Sequence, residues 1–198
     1  MSAIVPATLR PTDARWPACL GARLGASAPA ALQSIGPVAL LAHRKTALFC
    51  SARTPGDAIL RAHDAARRMR DEGVTVISGF HSPIERECLR ILLRGKQPII
   101  ICPARAIGAM RMSAECRGAF QAGRLLFLSP FADHPKRVTK ESAARRNEVV
   151  AALADDVFIA HVARGGQMER IAGMLKRWRV SCLARLATNK RGASTRQC

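Results

Sequence analysis

The sequence contains no tyrosine, and only 4% of its residues are aromatic. Domains that bind single-stranded nucleic acid by stacking bases on exposed rings need several such side chains on one surface. The shortage therefore disfavours a cold-shock or RRM-type binder. Because 48% of the residues are nevertheless hydrophobic, we expect a globular domain whose core is mainly aliphatic.

Acidic residues are also scarce. The 198 residues include 32 Lys and Arg but only 14 Asp and Glu, which gives a formal net charge of +18. From Arg170 to the last residue the sequence contains no acid. A charge of this size favours a polyanionic partner, with nucleic acid as the first candidate. An arginine-rich coding bias is the alternative that the charge alone leaves open.

Sequence signals for metals, disulfides and membranes are missing. The seven cysteines form no CxxC pair and no Cys/His spacing typical of a metal site. No apolar run reaches the roughly 20 residues that span a bilayer, and the first residues lack a signal-peptide core. We therefore expect a cytoplasmic protein with reduced cysteines, no bound metal and no cofactor.

The common nucleotide and hydrolase motifs are absent as well. There is no GxGxxG, no GxxxxGK[ST] and no GxSxG, so an NAD site, a P-loop and a hydrolase elbow have no support. His81 and His161 have no evident Ser–His–Asp order around them. These absences favour a binding protein over an enzyme.

Short apolar runs do occur from Thr46 onwards, with helical patterns between them. Because the runs are continuous rather than alternating, they predict parallel strands covered on both faces. The repeated strand-plus-helix spacing predicts a Rossmann-like, doubly wound, mainly parallel α/β sheet flanked by helices. The predicted strands are Thr46–Cys50, Val74–Ser78, Pro98–Cys102, Arg124–Ser129, Asp156–Val162 and Arg179–Leu183.

Composition divides the chain into three regions. Residues 1–45 are rich in Ala, Pro and Gly, and we expect a short helical or irregular lead-in there. Residues 46–185 contain the repeated strands and helices of the Rossmann-like domain. Residues 186–198 lack apolar periodicity and contain no acid, which predicts a flexible basic tail.

The stretch Val74–Glu85 is the clearest strand–turn–helix unit. Within it, Ser82–Glu85 matches an N-cap hydroxyl, a proline at the first helical position and a capping-box acid. Thr54–Asp57 repeats this pattern after the preceding strand. We therefore expect Asp57 and Glu85 to cap helices.

Ligands of doubly wound sheets bind beyond the carboxyl ends of the strands. Gly79 follows the second predicted strand, where we expect a turn that other residues would strain. Gly165 and Gly166 follow the fifth strand, in a turn whose amides can hold an anion. The topology therefore predicts a site formed by Ser51 and Arg53, Ser78 to Ser82, Cys102 to Arg105, Ser129, and His161 to Gly166.

Four segments resemble, in order, the motifs of one known family. Leu48–Arg53 stands where that family has a strand ending in Gly-Ser-Arg, and Val74–Gly79 resembles its second strand and Ser-Gly turn. Arg146-Asn147 resembles its Arg-Asn-Arg helix, and Phe158–Gly165 resembles its fifth strand and glycine turn. From about residue 13 to 183, the chain is similar to the DNA-processing protein A family (DprA, also called Smf).

Two departures from the family pattern remove positive charge. The family's Ser-Gly-x-Ala-Arg-Gly-Ile-Asp turn reads Ser-Gly-Phe-His-Ser-Pro-Ile-Glu here, so Ser82 stands in place of an arginine. The last arginine of the Arg-Asn-Arg motif is replaced by Glu148.

The resemblance implies a non-enzymatic protein that binds single-stranded DNA at the carboxyl edge of the sheet. It also implies a role in DNA uptake, natural transformation and recombination, with the RecA recombinase as a protein partner. A homodimer is also compatible with the sequence. The residues predicted to contact DNA or phosphate are Ser51, Arg53, Ser78, Gly79, His81, Ser82, Arg146, Asn147, Arg164, Gly165 and Gly166.

The alternative is a small-nucleotide binder or an enzyme on the same fold. Gly165–Glu169 is similar to the Pro-Gly-Gly-x-Gly-Thr-x-x-Glu turn of the nucleoside-monophosphate phosphoribohydrolases once called lysine decarboxylases. The proline, the third glycine and the threonine are missing here. In this interpretation Glu169 is the catalytic glutamate, and a nucleotide replaces DNA as the ligand.

Overall fold

Strands and helices alternate along most of the chain. A computed structural model describes residues 5–51, 54–108, 110–133, 135 and 137–182. The strands are β1 (Ala7–Leu9), β2 (Leu32–Ile35), β3 (Lys45–Phe49), β4 (Thr75–Ser78), β5 (Ile99–Ile101), β6 (Leu125–Ser129), β7 (Asp156–Ile159) and β8 (Ser181–Cys182). The α-helices are α1 (Cys19–Leu24), α2 (Gly56–Asp71), α3 (Pro83–Leu93), α4 (Ala114–Gln121), α5 (Lys140–Leu153) and α6 (Gln167–Trp178).

Within the described ranges the strands form one eight-stranded sheet, in the order β1-β2-β6-β5-β4-β3-β7-β8. Pairing is parallel from β6 through to β8, whereas β2 is antiparallel to both β1 and β6. This confirms the predicted Rossmann-like, mainly parallel α/β fold. Every apolar run predicted to be a strand overlaps one of the strands β3 to β8.

The central strands are buried on both faces. Every residue of β3, β4, β5 and β6 is buried. Because successive side chains of a strand point to opposite faces, β4 sends Ile77 into one core and Val76 into the other. Strands in this position carry continuous apolar runs, which is why the sequence revealed them.

The helices divide between the two faces in the order in which the chain visits them. From β3 the chain moves outward to β6, and α2, α3 and α4 pack on one face. It then returns to β7 and β8 on the other side of β3, and α5 and α6 pack on the opposite face. The direction of winding therefore reverses between β3 and β7, and ligands of such sheets bind beside this reversal.

Two short segments of the lead-in belong to the same sheet. The expected helical content is present in α1 and in two 3-10 helices, Gly25–Ser27 and Val38–Ala42. In addition, β1 and β2 extend the sheet beyond β6, with Ser34 opposite both Ala7 and Leu128. Only the last of the three β1 residues is buried, so no apolar run marks this strand in the sequence. The predicted tail, 186–198, lies outside the described residues.

An arginine of helix α1 caps the C-terminal end of α5. The Arg23 Nη1 atom donates hydrogen bonds to the carbonyl oxygens of Ala152 at 2.9 Å and Ala154 at 2.6 Å. The last carbonyls of a helix lack intrahelical partners, and a positive charge there is favourable.

Of the helices in the described ranges, none is long and apolar enough to cross a membrane.

Replacing Arg23 by methionine is expected to lower the free energy of unfolding by about 1–2 kcal/mol, because the α5 carbonyls lose a charged donor. Chemical denaturation measures this change, and methionine keeps most of the apolar packing. Arg15→Met is the control. Arg15 is exposed, and its Nη2 lies 3.9 Å from Asp13 Oδ1 in a surface ion pair, which contributes little to stability. Equal losses in the two variants would contradict the capping role of Arg23.

Candidate functional site

A cavity lies at the carboxyl ends of β3 and β7, beside the reversal of winding. Its volume is about 380 Å³, at the lower end of the range of small-molecule sites. Its walls come from the segments after β3, β4 and β7 and from α5 and α6. The lining residues are Cys50, Ser51, His81, Ser82, Pro83, Glu85, Arg86, Ala143, Arg146, Asn147, His161, Ala163, Gly166, Gln167 and Met168.

A larger recess, of about 700 Å³, runs along α2 and the outer strands β7 and β8. It lies over a face of the sheet rather than at its carboxyl edge. Basic and acidic side chains are mixed around it, including Arg61, Asp64, Arg68 and Glu72. Such a mixture does not select an anion, so the smaller cavity is the better candidate for the predicted site.

Glu85 holds the two strand ends of the cavity together. One carboxylate oxygen accepts the backbone N–H of Cys50 at 3.1 Å, and the other accepts those of His81 at 2.8 Å and Ser82 at 3.2 Å. The Ser82 hydroxyl in turn accepts the backbone N–H of Glu85 at 3.1 Å. The predicted capping box at the start of α3 is therefore confirmed, and its acid also binds the end of β3.

The equivalent box predicted after β3 does not form. Helix α2 begins at Gly56, and no side chain caps it. The Thr54 hydroxyl instead donates to the carbonyl oxygen of Ser51 at 2.7 Å, and Asp57 pairs with Arg61. The prediction was wrong because Asp57 and Arg61 are four residues apart on one face of α2, where they form an ion pair instead.

Arg146 on α5 lies beneath the cavity and not on its rim. It is 4% exposed, and its Nη1 donates to the carbonyl oxygen of Cys102 at 2.8 Å. Burial lowers the pKa of Arg146, while the neighbouring Glu85 and Cys102 act in the opposite direction. Arginine starts from so high a pKa that the side chain stays charged. The site therefore has a buried positive charge in its floor.

Gly79 is required for space and not for an unusual backbone conformation. A Cβ atom at this position would lie 1.4 Å from Arg146 Nη1. The left-handed residue of the turn is Phe80, with φ of 46°, and Phe80 is buried. The expected reason for Gly79 was therefore wrong, since no sequence pattern shows which side chain approaches a glycine from a distant helix.

The opposite wall is formed where α5 meets the start of α6. Asn147 Nδ2 donates to Gln167 Oε1 at 3.0 Å. Gly166 is the N-cap of α6 and offers no side chain to its first amides. The free N–H groups at a helix start favour an anion.

Two exposed arginines lie on segments that line the cavity. Arg86 lines the cavity, and its Nε donates to the carbonyl oxygen of His81 at 3.1 Å. Arg164 lies in the exposed turn between β7 and α6. Neither belongs to any ion pair found within the described ranges. Their charge is therefore available to a ligand.

The structure brings several of the predicted residues together and separates others. Ser78 is fully buried, and its hydroxyl donates to the carbonyl oxygen of Leu48 at 2.6 Å, so this side chain does not reach the cavity. Gly165 lies beside Arg164 in the exposed turn, and Arg53 lies outside the described residues. Of the residues predicted to contact DNA or phosphate, those that line the cavity are Ser51, His81, Ser82, Arg146, Asn147 and Gly166, and His161 and Ala163 from the predicted strand-end segments line it too.

Arg86 and the side chain of Gln167 were not among the predicted contacts. Gln167 occupies the first helical position after a Gly-Gly turn, which is a signal that the sequence does contain. Arg86 immediately follows the capping acid Glu85, in the first turn of α3. A positively charged residue in the first turn of a helix that begins at the carboxyl edge of the sheet is therefore a sequence signal for a candidate site residue.

The polar part of the cavity wall includes several hydrogen-bond donors, among them Ser51, Asn147 and Gln167. Cys50 also lines it, but a hydrogen bond with Cys88, together with burial, raises the pKa of the Cys50 thiol, which stays protonated and unreactive. Across the described ranges, no group of three or more His, Cys, Asp and Glu side chains is placed to hold a metal ion. Donors, amides and positive charge in this arrangement are suited to holding an anion.

The winding defines a Rossmann-like protein, and the cavity at the switch point of its sheet is a candidate anion site. The profile of the family described as DNA recombination-mediator protein A matches residues 7–180. The chain therefore belongs to this family of DNA-processing proteins, and the resemblance to DprA found in the sequence is confirmed.

Two solved structures are similar to the chain. DNA processing protein A from Helicobacter pylori, a protein with a single-stranded DNA binding mode, matches with a TM-score of 0.70 and 18% identity over 92% of this chain and 81% of that chain. DprA from Streptococcus pneumoniae matches with a TM-score of 0.66 and 17% identity over 85% of this chain and 60% of that chain. At these identities the likeness establishes the fold. No curated protein sequence matches the chain.

Proposed function

We propose that the protein binds single-stranded DNA at the carboxyl edge of the sheet, through the cavity and the exposed arginines of the segments that line it. The observation that supports the proposal is the position of two exposed arginines with no acid paired to either in the described ranges. Arg86 lines the cavity, and Arg164 lies in the turn whose residues Ala163 and Gly166 line it. Arginine suits phosphate because its planar fork can bond two oxygens at once.

The one carboxylate in the cavity wall does not oppose this role strongly. Both oxygens of Glu85 already accept backbone N–H groups. Arg146 lies close enough to influence Glu85 electrostatically and adds a fixed positive charge beneath it. In this proposal Ser51, His81 and the first amides of α6 contact the DNA, and Arg53 adds a further phosphate contact. The predicted contact through the amides of Gly165 and Gly166 is not supported, because these N–H groups already donate to Glu169 and to the carbonyl oxygen of Ala163.

Membership of the DNA-processing family supports a proposal for the cellular role. We infer that the protein acts in the cytoplasm on incoming DNA, in natural transformation and recombination, and hands the strand to the RecA recombinase. The similar H. pylori protein is itself one with a single-stranded DNA binding mode. The net charge of +18 supports a polyanionic ligand.

The position of Glu169 does not support the phosphoribohydrolase alternative. This residue is exposed and does not line the cavity, and its carboxylate accepts the backbone N–H of Gly165 at 2.7 Å. A catalytic glutamate must reach the reacting atoms. We therefore do not extend the proposal to this reaction.

Binding of a labelled oligonucleotide, followed by fluorescence anisotropy over a series of salt concentrations, tests the proposal. We expect affinity to fall steeply with salt, and Arg86→Ala and Arg164→Ala each to weaken binding. The slope of log affinity against log salt should fall by about 0.7 for each phosphate that a variant no longer neutralises.

Arg67→Ala is the matched control. Arg67 is an exposed arginine on α2 that pairs with Asp64 at 2.7 Å, away from the carboxyl edge. Its replacement removes the same charge and should leave the slope unchanged. If the protein does not bind single-stranded DNA even at low salt, the proposal is refuted. If Arg86→Ala, Arg164→Ala and Arg67→Ala weaken binding equally, the binding is nonspecific electrostatic attraction and does not depend on the cavity.

A further inference from the structure

Within the part of the chain that the structure describes, two hydrogen-bond donors in the cavity wall have no acceptor. Arg146 Nε is buried without a partner, in a side chain that is 4% exposed and lines the cavity. Gln167 Nε2 is also buried without a partner. Unpaired buried donors are rare, and here both lie in the wall of one recess. An acceptor entering the cavity would satisfy them.

The neighbouring side chain determines which end of Gln167 is unpaired. Asn147 Nδ2 donates to Gln167 Oε1 at 3.0 Å, so the acceptor end of the Gln167 amide is already occupied. The donor end, Nε2, is therefore the end of the amide that has no partner in the described ranges. The hydrogen bond therefore holds Gln167 in an orientation that favours a ligand rich in acceptors.

The start of α6 adds backbone donors at the same place. The helix has 12 residues, and its glycine N-cap provides no side-chain acceptor. Gln167 and Met168 are its first residues, and both line the cavity. The first N–H groups of a helix have no intrahelical acceptor, and the helix dipole favours negative charge there. Glu169 lies in the same turn, but its carboxylate is exposed and bound to the Gly165 amide.

We propose that this cavity binds a phosphomonoester, supplied either by the 5′ end of a DNA strand or by a free deoxynucleoside 5′-monophosphate. For the first source, the inference rests on the DNA-binding function proposed above. A terminal phosphate presents three free oxygens to the converging donors. An internal phosphodiester presents two, and it must carry a nucleotide on each side into a recess of about 380 Å³.

The test compares two oligonucleotides of one sequence, labelled at the 3′ end, with a 5′-phosphate or a 5′-hydroxyl. We expect the phosphorylated strand to bind about tenfold more tightly, as one additional set of charge-assisted hydrogen bonds implies. Gln167→Glu should abolish the preference, because it places a carboxylate at the phosphate position. The glutamate can still accept the hydrogen bond of Asn147, so the fold is expected to persist.

Gln33→Glu is the matched control. Gln33 lies on β2, far along the sheet from the cavity, and the substitution adds the same charge. It should leave the preference for the phosphorylated strand intact. A circular dichroism melt of both variants separates a binding defect from unfolding.

A second arm titrates the protein with deoxynucleoside 5′-monophosphate alone. Mononucleotide binding that is lost in Gln167→Glu, with equal binding of the two strands, would support the inference with the free nucleotide as the source. If neither ligand shows an effect of Gln167→Glu, the inference is overturned, while single-strand binding in the same assay leaves the proposed function intact. If neither strand binds at low salt, the proposed function fails, and the mononucleotide arm still decides the inference.

Discussion

Replacing Gly79 by alanine is expected to lower the free energy of unfolding by about 3 kcal/mol or more. The added Cβ would lie 1.4 Å from Arg146 Nη1 and 1.9 Å from its Cζ, so the guanidinium must move. Movement breaks its hydrogen bond to the Cys102 carbonyl and leaves a buried charge without a partner. Thermal and chemical denaturation measure the loss.

Two further variants test the cause of this effect. Gly118 lies in the interior of α4, and a Cβ there meets no atom within 4 Å, so Gly118→Ala should stabilise the protein slightly through helix propensity. In a background of Arg146→Ala, Gly79→Ala should cost far less than it does alone. Additive losses in this double-mutant cycle would show that the two residues do not interact, contrary to the structure.

Replacing Glu85 by glutamine is expected to lower the free energy of unfolding by about 2–4 kcal/mol. The buried carboxylate accepts three backbone N–H groups from the ends of β3 and the β4 turn. An amide of the same shape can accept at one atom only and directs its own N–H groups at the remaining donors. It also removes a negative charge close to Arg146.

The same substitution two residues further along α3 provides the control. Glu87 is exposed and pairs with Arg90 on the surface of α3, so Glu87→Gln should change stability very little. Because Glu85 joins the strand ends that form the cavity, Glu85→Gln should also weaken DNA binding, even where the protein remains folded. Retention of full stability in Glu85→Gln would show that the three backbone bonds do not depend on the carboxylate charge.

The sheet could be predicted from the sequence because its central strands are buried on both faces. Burial on both sides favours apolar residues, and the resulting runs marked β3 to β6. The runs at β7 and β8 also marked strands, although β7 is only partly buried and β8 is exposed. Strand β1 was missed because it is three residues long with one buried side chain. Short strands at the edge of a sheet are held by backbone pairing, which leaves little trace in composition.

Capping patterns were predictive only where no stronger interaction competed. Ser82 and Glu85 form the expected box, whereas Asp57 pairs with Arg61 and Thr54 bonds within its own loop. Both segments have the same local pattern. The difference comes from burial, since Glu85 lies in the interior beside β3, while Asp57 faces solvent.

The sequence by itself determined the class of fold, the resemblance to the DprA family and the expectation of a site at the carboxyl edge, because these depend on local apolar runs and ordered motifs. Only the tertiary structure decided what each site residue does. It placed Arg146 beneath Gly79 and the Gln167 amide beside Asn147, and it buried Ser78. Such contacts join segments far apart in the chain, and their geometry is set by how the helices pack on the sheet rather than by any local pattern.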